Sequence, residues 1–168
     1  MSNHASVISD GKWATLDLND PEDAHIDERL SSEYIIWLSA TRPDGHPYLN
    51  LLWYTWDGSG VTFFYTNKDH ELLHQSLANN AHVMMALEAL NLGEDVVRFE
   101  GVARLLTPEE MRASYTSYAE KYGMFMQAVG WDAEERFAVC KLGVRVQPTC
   151  FLPPPAKQVF NTLIDAEH

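Results

Sequence analysis

The order of apolar and polar positions divides the chain into short strands joined by tight turns, with a few helices between them. Tyr34-Ile35-Ile36-Trp37-Leu38-Ser39-Ala40 is β-branched and aromatic, as a strand favours. It stops at Arg42-Pro43-Asp44-Gly45, where proline presets the turn dihedral and glycine supplies a positive φ. A second strand is predicted over 48–56, a turn at Asp57-Gly58-Ser59-Gly60, and a third strand over 61–66. Leu72, Leu73, Ser76 and Leu77 recur at helical spacing, so 69–79 reads as a short amphipathic helix that Asn79-Asn80 ends. Strands over 82–88 and 95–105 follow, the latter with Gly101 as a bulge or close-packing point.

Thr107-Pro108-Glu109-Glu110 predicts a helix start. Thr107 caps, Pro108 suits the first helical position, and Glu110 closes a capping box. That helix is expected to end near Tyr122, stopped by Gly123, with another turn over 124–129. Trp131-Asp132 opens a short helix. The last strand is expected over 139–151, with Cys140, Leu142, Val144 and Val146 alternating with polar or small residues.

Before the first strand, 1–25 is polar and reads as an arm, and 26–32 as one or two helical turns. The domain itself spans 26–155 and ends at Pro153-Pro154-Pro155, leaving 156–168 as a tail that docks on a partner. About six strands in antiparallel hairpins with inserted helices make the parts list of a small β-barrel. The alternation alone fits a sandwich nearly as well.

Charge narrows the functional classes. Against 24 Asp and Glu there are 12 Lys and Arg, a net charge of -12. Nucleic acid and anionic membrane surfaces are excluded as partners, because both must be met by clustered cations. The same field repels a phosphorylated cofactor, so local donors would have to overcome it. Cys140 and Cys150 form no CxxC pattern and read as thiols in a reducing compartment. With no basic-then-apolar start and no run of ~20 apolar residues, the expected location is the cytoplasm.

Few residues advertise chemistry. His70 and His74 lie one helical turn apart, but no third ligand stands at a telling distance, so no metal site is expected. Glu71, Glu88 and Glu100 form no informative carboxylate pair. Tyr115, Tyr118 and Tyr122 share nearly one helix face and are expected to pack that helix on the barrel. Met124, Phe125 and Met126 read as filler or as the lining of an apolar pocket. A Gly-rich phosphate loop and a GxSxG nucleophile motif are both lacking.

Several local signatures, in order, carry a resemblance. They are Trp37-Leu38-Ser39-Ala40-Thr41-Arg42-Pro43-Asp44-Gly45-His46-Pro47, then Trp53-Tyr54-Thr55-Trp56-Asp57-Gly58, then Phe64-Tyr65-Thr66-Asn67 with Asn79-Asn80-Ala81-His82-Val83 after a short helix. Asp95-Val96-Val97-Arg98-Phe99-Glu100-Gly101-Val102-Ala103 follows, and later Tyr118-Ala119-Glu120-Lys121-Tyr122-Gly123 and Val144-Arg145-Val146-Gln147-Pro148-Thr149. Over 15–150 the chain resembles the pyridoxamine-phosphate-oxidase-like FMN-binding split-barrel family, in its deazaflavin (coenzyme F420)-dependent branch.

The resemblance implies a mainly β fold: a six-stranded antiparallel split barrel of Greek-key type with a few flanking helices, paired as a homodimer. It implies F420, or FMN, in a cleft between two barrels, and hydride transfer to a small planar or unsaturated substrate. The implied cofactor-binding residues are Leu51, Leu52 and Trp53 on the second strand and Tyr65, Thr66, Asn67 and Lys68 at the end of the third. His70 and His74 join them from the helix that follows. Phosphate would sit at that helix N-terminus, where free N–H groups point outward. No catalytic acid is implied.

The chain departs from the family at one telling place. Where the family places Lys, or an Arg-Lys pair, this chain has His70-Glu71-Leu72-Leu73-His74, with no lysine or arginine between Lys68 and Arg98. Leu51 also replaces a proline common in the branch. Charged donors make roughly twice the hydrogen bond of neutral ones, so their loss weakens a phosphate site. The alternative is therefore a barrel without redox chemistry, binding haem or a metabolite or acting without a cofactor.

Overall fold

The computed structural model describes residues 13–65 and 70–153. In chain order these form α1 (Pro21–Ser32), β1 (Ile35–Thr41), β2 (Pro47–Trp53), β3 (Thr55–Trp56) and β4 (Val61–Tyr65). Then come α2 (His70–Asn79), β5 (His82–Ala86), a 3-10 turn (Asn91–Gly93), β6 (Arg98–Leu105), α3 (Pro108–Ala128), α4 (Ala133–Ala138) and β7 (Leu142–Leu152).

The strands make one antiparallel sheet in the order β2-β1-β5-β6-β7-β4-β3. Its two edges, β2 and β3, are consecutive in the chain and separated only by Tyr54. The sheet therefore curls until both edges belong to one stretch of backbone. Seven strands stand where six were expected, because Tyr54 interrupts the single strand read over 48–56.

Alternating residues fill the interior. Ile36 and Leu38, Tyr48 and Leu52, Val61 and Phe63, Val83 and Met85, and Val144 and Val146 all join one core cluster. Phe64 points the other way, onto α3, where it meets Tyr115, Tyr118, Tyr122 and Met126. The three tyrosines thus pack the helix against the outside of the sheet.

Several boundaries differ from the sequence reading. α1 starts at Pro21, inside the stretch read as an arm, because the Asp20 carboxylate caps the Glu22 and Asp23 N–H groups. α3 runs past Gly123 to Ala128, since buried Met126 lies beyond it. An interior glycine costs only about 1 kcal/mol, and packing outweighs that. The strand read over 82–88 ends at Ala86, and the next starts only at Arg98. The last strand starts only at Leu142, so Cys140 packs in the α3 cluster and not in that strand.

Gly101 sits at a β-bulge against β7. A Cβ there would stand 2.6 Å from Val146 Cγ1 and 2.8 Å from the Gln147 carbonyl oxygen. Backbone cannot rotate away as a side chain can. Gly101→Ala is expected to cost about 1–3 kcal/mol, the range for overpacking. Thermal unfolding checks this, and an unchanged midpoint would mean that β7 yields. Among the described residues, no helix is long and apolar enough to cross a membrane.

Candidate functional site

Pleating along β2 turns Tyr48, Asn50 and Leu52 inward and Leu49, Leu51 and Trp53 outward. Leu49 is 63% exposed and Leu51 41% exposed. The register sets Leu51 beside Trp37 and Trp37 beside Ala86, while Ser39 lies between Leu49 and Met84. The outward face of this half of the sheet is thus largely apolar.

Trp53 anchors an aromatic cluster at the end of that face. Its ring stacks on Tyr122 at 4.5 Å and 4°. Phe125 follows Tyr122 by three residues on the same side of α3 and lies 6.4 Å from Trp53 and 4.9 Å from Tyr34. Gly130, with φ 73°, reverses the chain after α3. That reversal brings Trp131 back to 6.4 Å from Trp53, with its N–H donating to the Met126 carbonyl at 2.7 Å. Tyr34, Phe125 and Trp131 are each 44% exposed. Flat apolar rings open to solvent suit a flat apolar ligand.

The break at Tyr54 is closed by one hydroxyl. Tyr122 Oη accepts the Tyr54 N–H at 2.7 Å and lies 2.6 Å from the Tyr34 carbonyl and 2.8 Å from the Tyr54 carbonyl, to which it donates. Next to it, Lys121 Nζ stands 4.1 Å from the centre of the Tyr54 ring, with Tyr122 and Tyr34 at 5.8 and 5.9 Å. It has no hydrogen-bond partner among the described residues. Burial pushes its amine down to about 8, against the upward pull of the Glu33 carboxylate. At neutral pH it is a cation held chiefly by ring faces.

Inside the barrel, Tyr48 Oη and Tyr65 Oη are 2.7 Å apart, and Asn50 Nδ2 donates to Tyr65 Oη at 2.6 Å. Asn50 Oδ1 accepts the Leu51 N–H at 2.9 Å, so that amide is already engaged within the chain. This network holds the end of β4, where the chain enters 66–69.

Of the residues expected to hold a cofactor, Leu51 and Trp53 come together on the outward face. Leu52 and Tyr65 turn their side chains into the core. Thr66, Asn67 and Lys68 lie outside the described residues. His70 opens α2, with its side chain outside the description, and His74 is exposed on the same helix. Glu88 accepts a hydrogen bond from Trp37 Nε1 at 2.7 Å, and Glu100 lies across from Met84. Tyr34, Trp131 and Lys121 join the site without having been singled out. Gly130 is the sequence signal for the turn that returns Trp131, whereas Lys121 stood within one of the quoted signatures with no role attached to it.

A curled antiparallel sheet whose edges share one stretch of chain, with a helix docked at the break, defines the split-barrel class. The chain belongs to the pyridoxamine 5'-phosphate oxidase family, whose family model matches residues 23–145. No curated protein matches it. Among solved structures it is similar to an F420 reductase, with 22% identity and a TM-score of 0.57 over 75% of this chain and 94% of that one. It is also similar to HutZ, the haem-storage protein of Vibrio cholerae, with 12% identity and a TM-score of 0.59 over 80% and 94%. A conserved hypothetical protein of Mycobacterium tuberculosis gives 21% identity and a TM-score of 0.62 over 86% and 87%.

Proposed function

We propose that this protein is a homodimeric oxidoreductase that holds a deazaflavin of the F420 type, or FMN, against the outward face of β2. Hydride passes between that ring and a small planar or unsaturated substrate. The observation that carries the reading is the exposed apolar face of Leu49, Leu51 and Trp53, continued by Phe125 and Trp131. One barrel offers an open face, and a second copy would turn it into a buried cleft, as ligand sites require. Family membership and the F420 reductase neighbour support the same reading.

When bound, the ring supplies the redox chemistry. The chain's own residues then bind and orient. Leu51 and Trp53 would lie along the ring and keep water from it. Thr66, Asn67 and Lys68, ahead of the α2 N-terminus, would hold a phosphate.

Titrating the purified protein with F420, FMN and haem tests this, following cofactor fluorescence and the Soret band. Binding of F420 or FMN is expected, and Lys68→Ala should weaken it by about 1–3 kcal/mol, the loss of a charged hydrogen bond. Absence of flavin and deazaflavin binding at high micromolar ligand would overturn the reading.

One observation favours a second reading. α2 carries Glu71 in its first turn, and no lysine or arginine stands between Lys68 and Arg98. A barrel without those anchors would take a haem or another phosphate-free ligand, as the haem-storage neighbour suggests. A Soret band unaffected by Lys68→Ala is then the expected result.

A further inference from the structure

Lys121 puts a buried charge behind the aromatic cluster. α3 lays its side chain across the Tyr54 ring, with Nζ 4.1 Å from the ring centre and the Tyr122 and Tyr34 rings at 5.8 and 5.9 Å. Nζ is buried and donates to nothing among the described residues. An ammonium taken out of water without a hydrogen-bond partner is costly to the fold. Methionine would fill much the same space without the charge. Charges kept at such a cost cluster at functional sites.

The other charges around the cluster are paired or screened. Glu33, which caps the end of α1, pulls on the amine but is itself held by Arg29 at 2.6 Å. Burial keeps the Tyr54 and Tyr122 phenols protonated. From α4, Arg136 lies 4.3 Å over the Trp131 ring, and Asp132, Glu134 and Glu135 stand on the same short segment, all three exposed. Water and salt screen exposed charges far more than a buried one. At the other end of the β2 face, the Glu88 carboxylate accepts the Trp37 Nε1–H at 2.7 Å. The face is therefore negative at its Trp37 end and positive behind Tyr34 and Tyr122.

Tyr34 carries that charge to the surface. Its ring is exposed and lies 4.9 Å from the exposed Phe125 ring. A ligand in van der Waals contact with the Tyr34 ring lies within about 10 Å of Nζ. At an effective dielectric constant of about 20, a unit negative charge at that distance gains about tenfold in affinity. We propose that Lys121 sets the charge preference of this site: its ammonium selects planar ligands that carry a negative charge and seats the charged edge over Tyr34 and Phe125. The inference rests on the reading that a planar ligand lies along β2, and it adds the ligand's charge class and orientation.

Two probes of like shape test it on the full chain: naphthoate, an anion, and naphthalenemethanol, which is neutral. Burial pushes the Lys121 amine down to about 8, so the cation is present at pH 7 and largely gone at about pH 9.5. Carboxylates and guanidinium groups do not titrate in that window. By equilibrium dialysis at low salt, naphthoate affinity should fall about five- to tenfold between the two pH values, and that of the alcohol should stay within about twofold. Lys121→Met should bind naphthoate at pH 7 as weakly as the unaltered protein does at the higher pH, with no further fall. A naphthoate affinity that is flat with pH in the unaltered protein overturns the proposal, whether or not the variant folds. So does a fall that survives in folded Lys121→Met, since the variant keeps both thiols, Cys140 and Cys150, and the fall would then be theirs. Absence of binding by either probe at millimolar concentration overturns it too. Failure of the F420 and FMN titration beside a naphthoate step would sink the redox reading alone. A flat naphthoate profile in a protein that binds F420 or FMN would sink this inference alone.

Discussion

Replacing Arg29 with methionine is expected to lower the thermal midpoint by about 10 °C, from a loss of about 3 kcal/mol. Arg29 is 5% exposed, and α1 delivers its guanidinium into a nest of acceptors. Nε donates to Glu33 at 2.6 Å. Nη1 donates to the Asp95 carboxylate at 2.8 Å and the Asp95 carbonyl at 3.0 Å, and Nη2 to the Glu88 carbonyl at 2.8 Å. One side chain thus fastens α1 to both ends of the connection between β5 and β6. Methionine keeps much of the volume and leaves every acceptor behind. Breaking a buried ion pair costs about 3–5 kcal/mol. The low end applies here, because Asp95 and Glu33 keep 20% and 26% of their side-chain surface in water. A midpoint within 2 °C of the unaltered protein's would show that water replaces the guanidinium.

Acid adds a second readout. Burial raises the Asp95 carboxyl, but hydrogen bonds from His25 and Arg29 outweigh it and hold the group below its ordinary value of 3.8. A carboxyl with a depressed folded value adds stability above its unfolded value and loses it as pH falls through the folded one. Denaturant midpoints of the unaltered protein should therefore fall below about pH 4. In Arg29→Met the Asp95 share of that decline should shrink, since much of the depression is already gone.

Much of the barrel was legible because strand chemistry and turn chemistry agreed. Asp57-Gly58-Ser59-Gly60 shows why. The Asp57 carboxylate accepts the Ser59 and Gly60 N–H groups, and Gly58 takes φ 83°, both encoded within four residues. Thr107 and Glu110 likewise form the reciprocal cap that their spacing predicts. What failed depended on contacts far apart in sequence. Gly123 is a helix stop by local rules, yet burial of Met126 carries α3 through it. Tyr54 reads as mid-strand, and only Tyr122, 68 positions away, makes a break there tolerable. The candidate site was named only through the resemblance, which put Leu51, Leu52 and Trp53 together although Leu52 turns into the core, and Tyr34, Lys121 and Trp131 reach Trp53 only once α3 has docked.

That docking yields the other large effect. Tyr122→Phe is expected to destabilise the fold by about 2–3 kcal/mol, although it deletes one oxygen. The ring and its stack on Trp53 are kept, so the loss isolates the hydroxyl. Tyr54 is fully buried, and its N–H has this hydroxyl as acceptor. An interior N–H without a partner pays its whole desolvation penalty, about 1–3 kcal/mol, and the carbonyl that takes the single hydroxyl proton, of Tyr34 or Tyr54, loses its donor as well. Burial raises the Tyr122 phenol far above its ordinary value, so it stays protonated and donates across the whole working pH range. Hydrogen exchange should find the Tyr54 amide among the slow ones in the unaltered protein and accelerated in the variant. Tyr122→Leu should cost more, because the stacked ring goes too, worth a further ~0.5–1.5 kcal/mol beyond the area lost. An unchanged midpoint and an equally slow Tyr54 amide in Tyr122→Phe would show that the strand break is held by something other than α3. If the hydroxyl is the clasp, weakening it loosens Trp53 and Phe125 together, and ring binding at the β2 face should fall with stability.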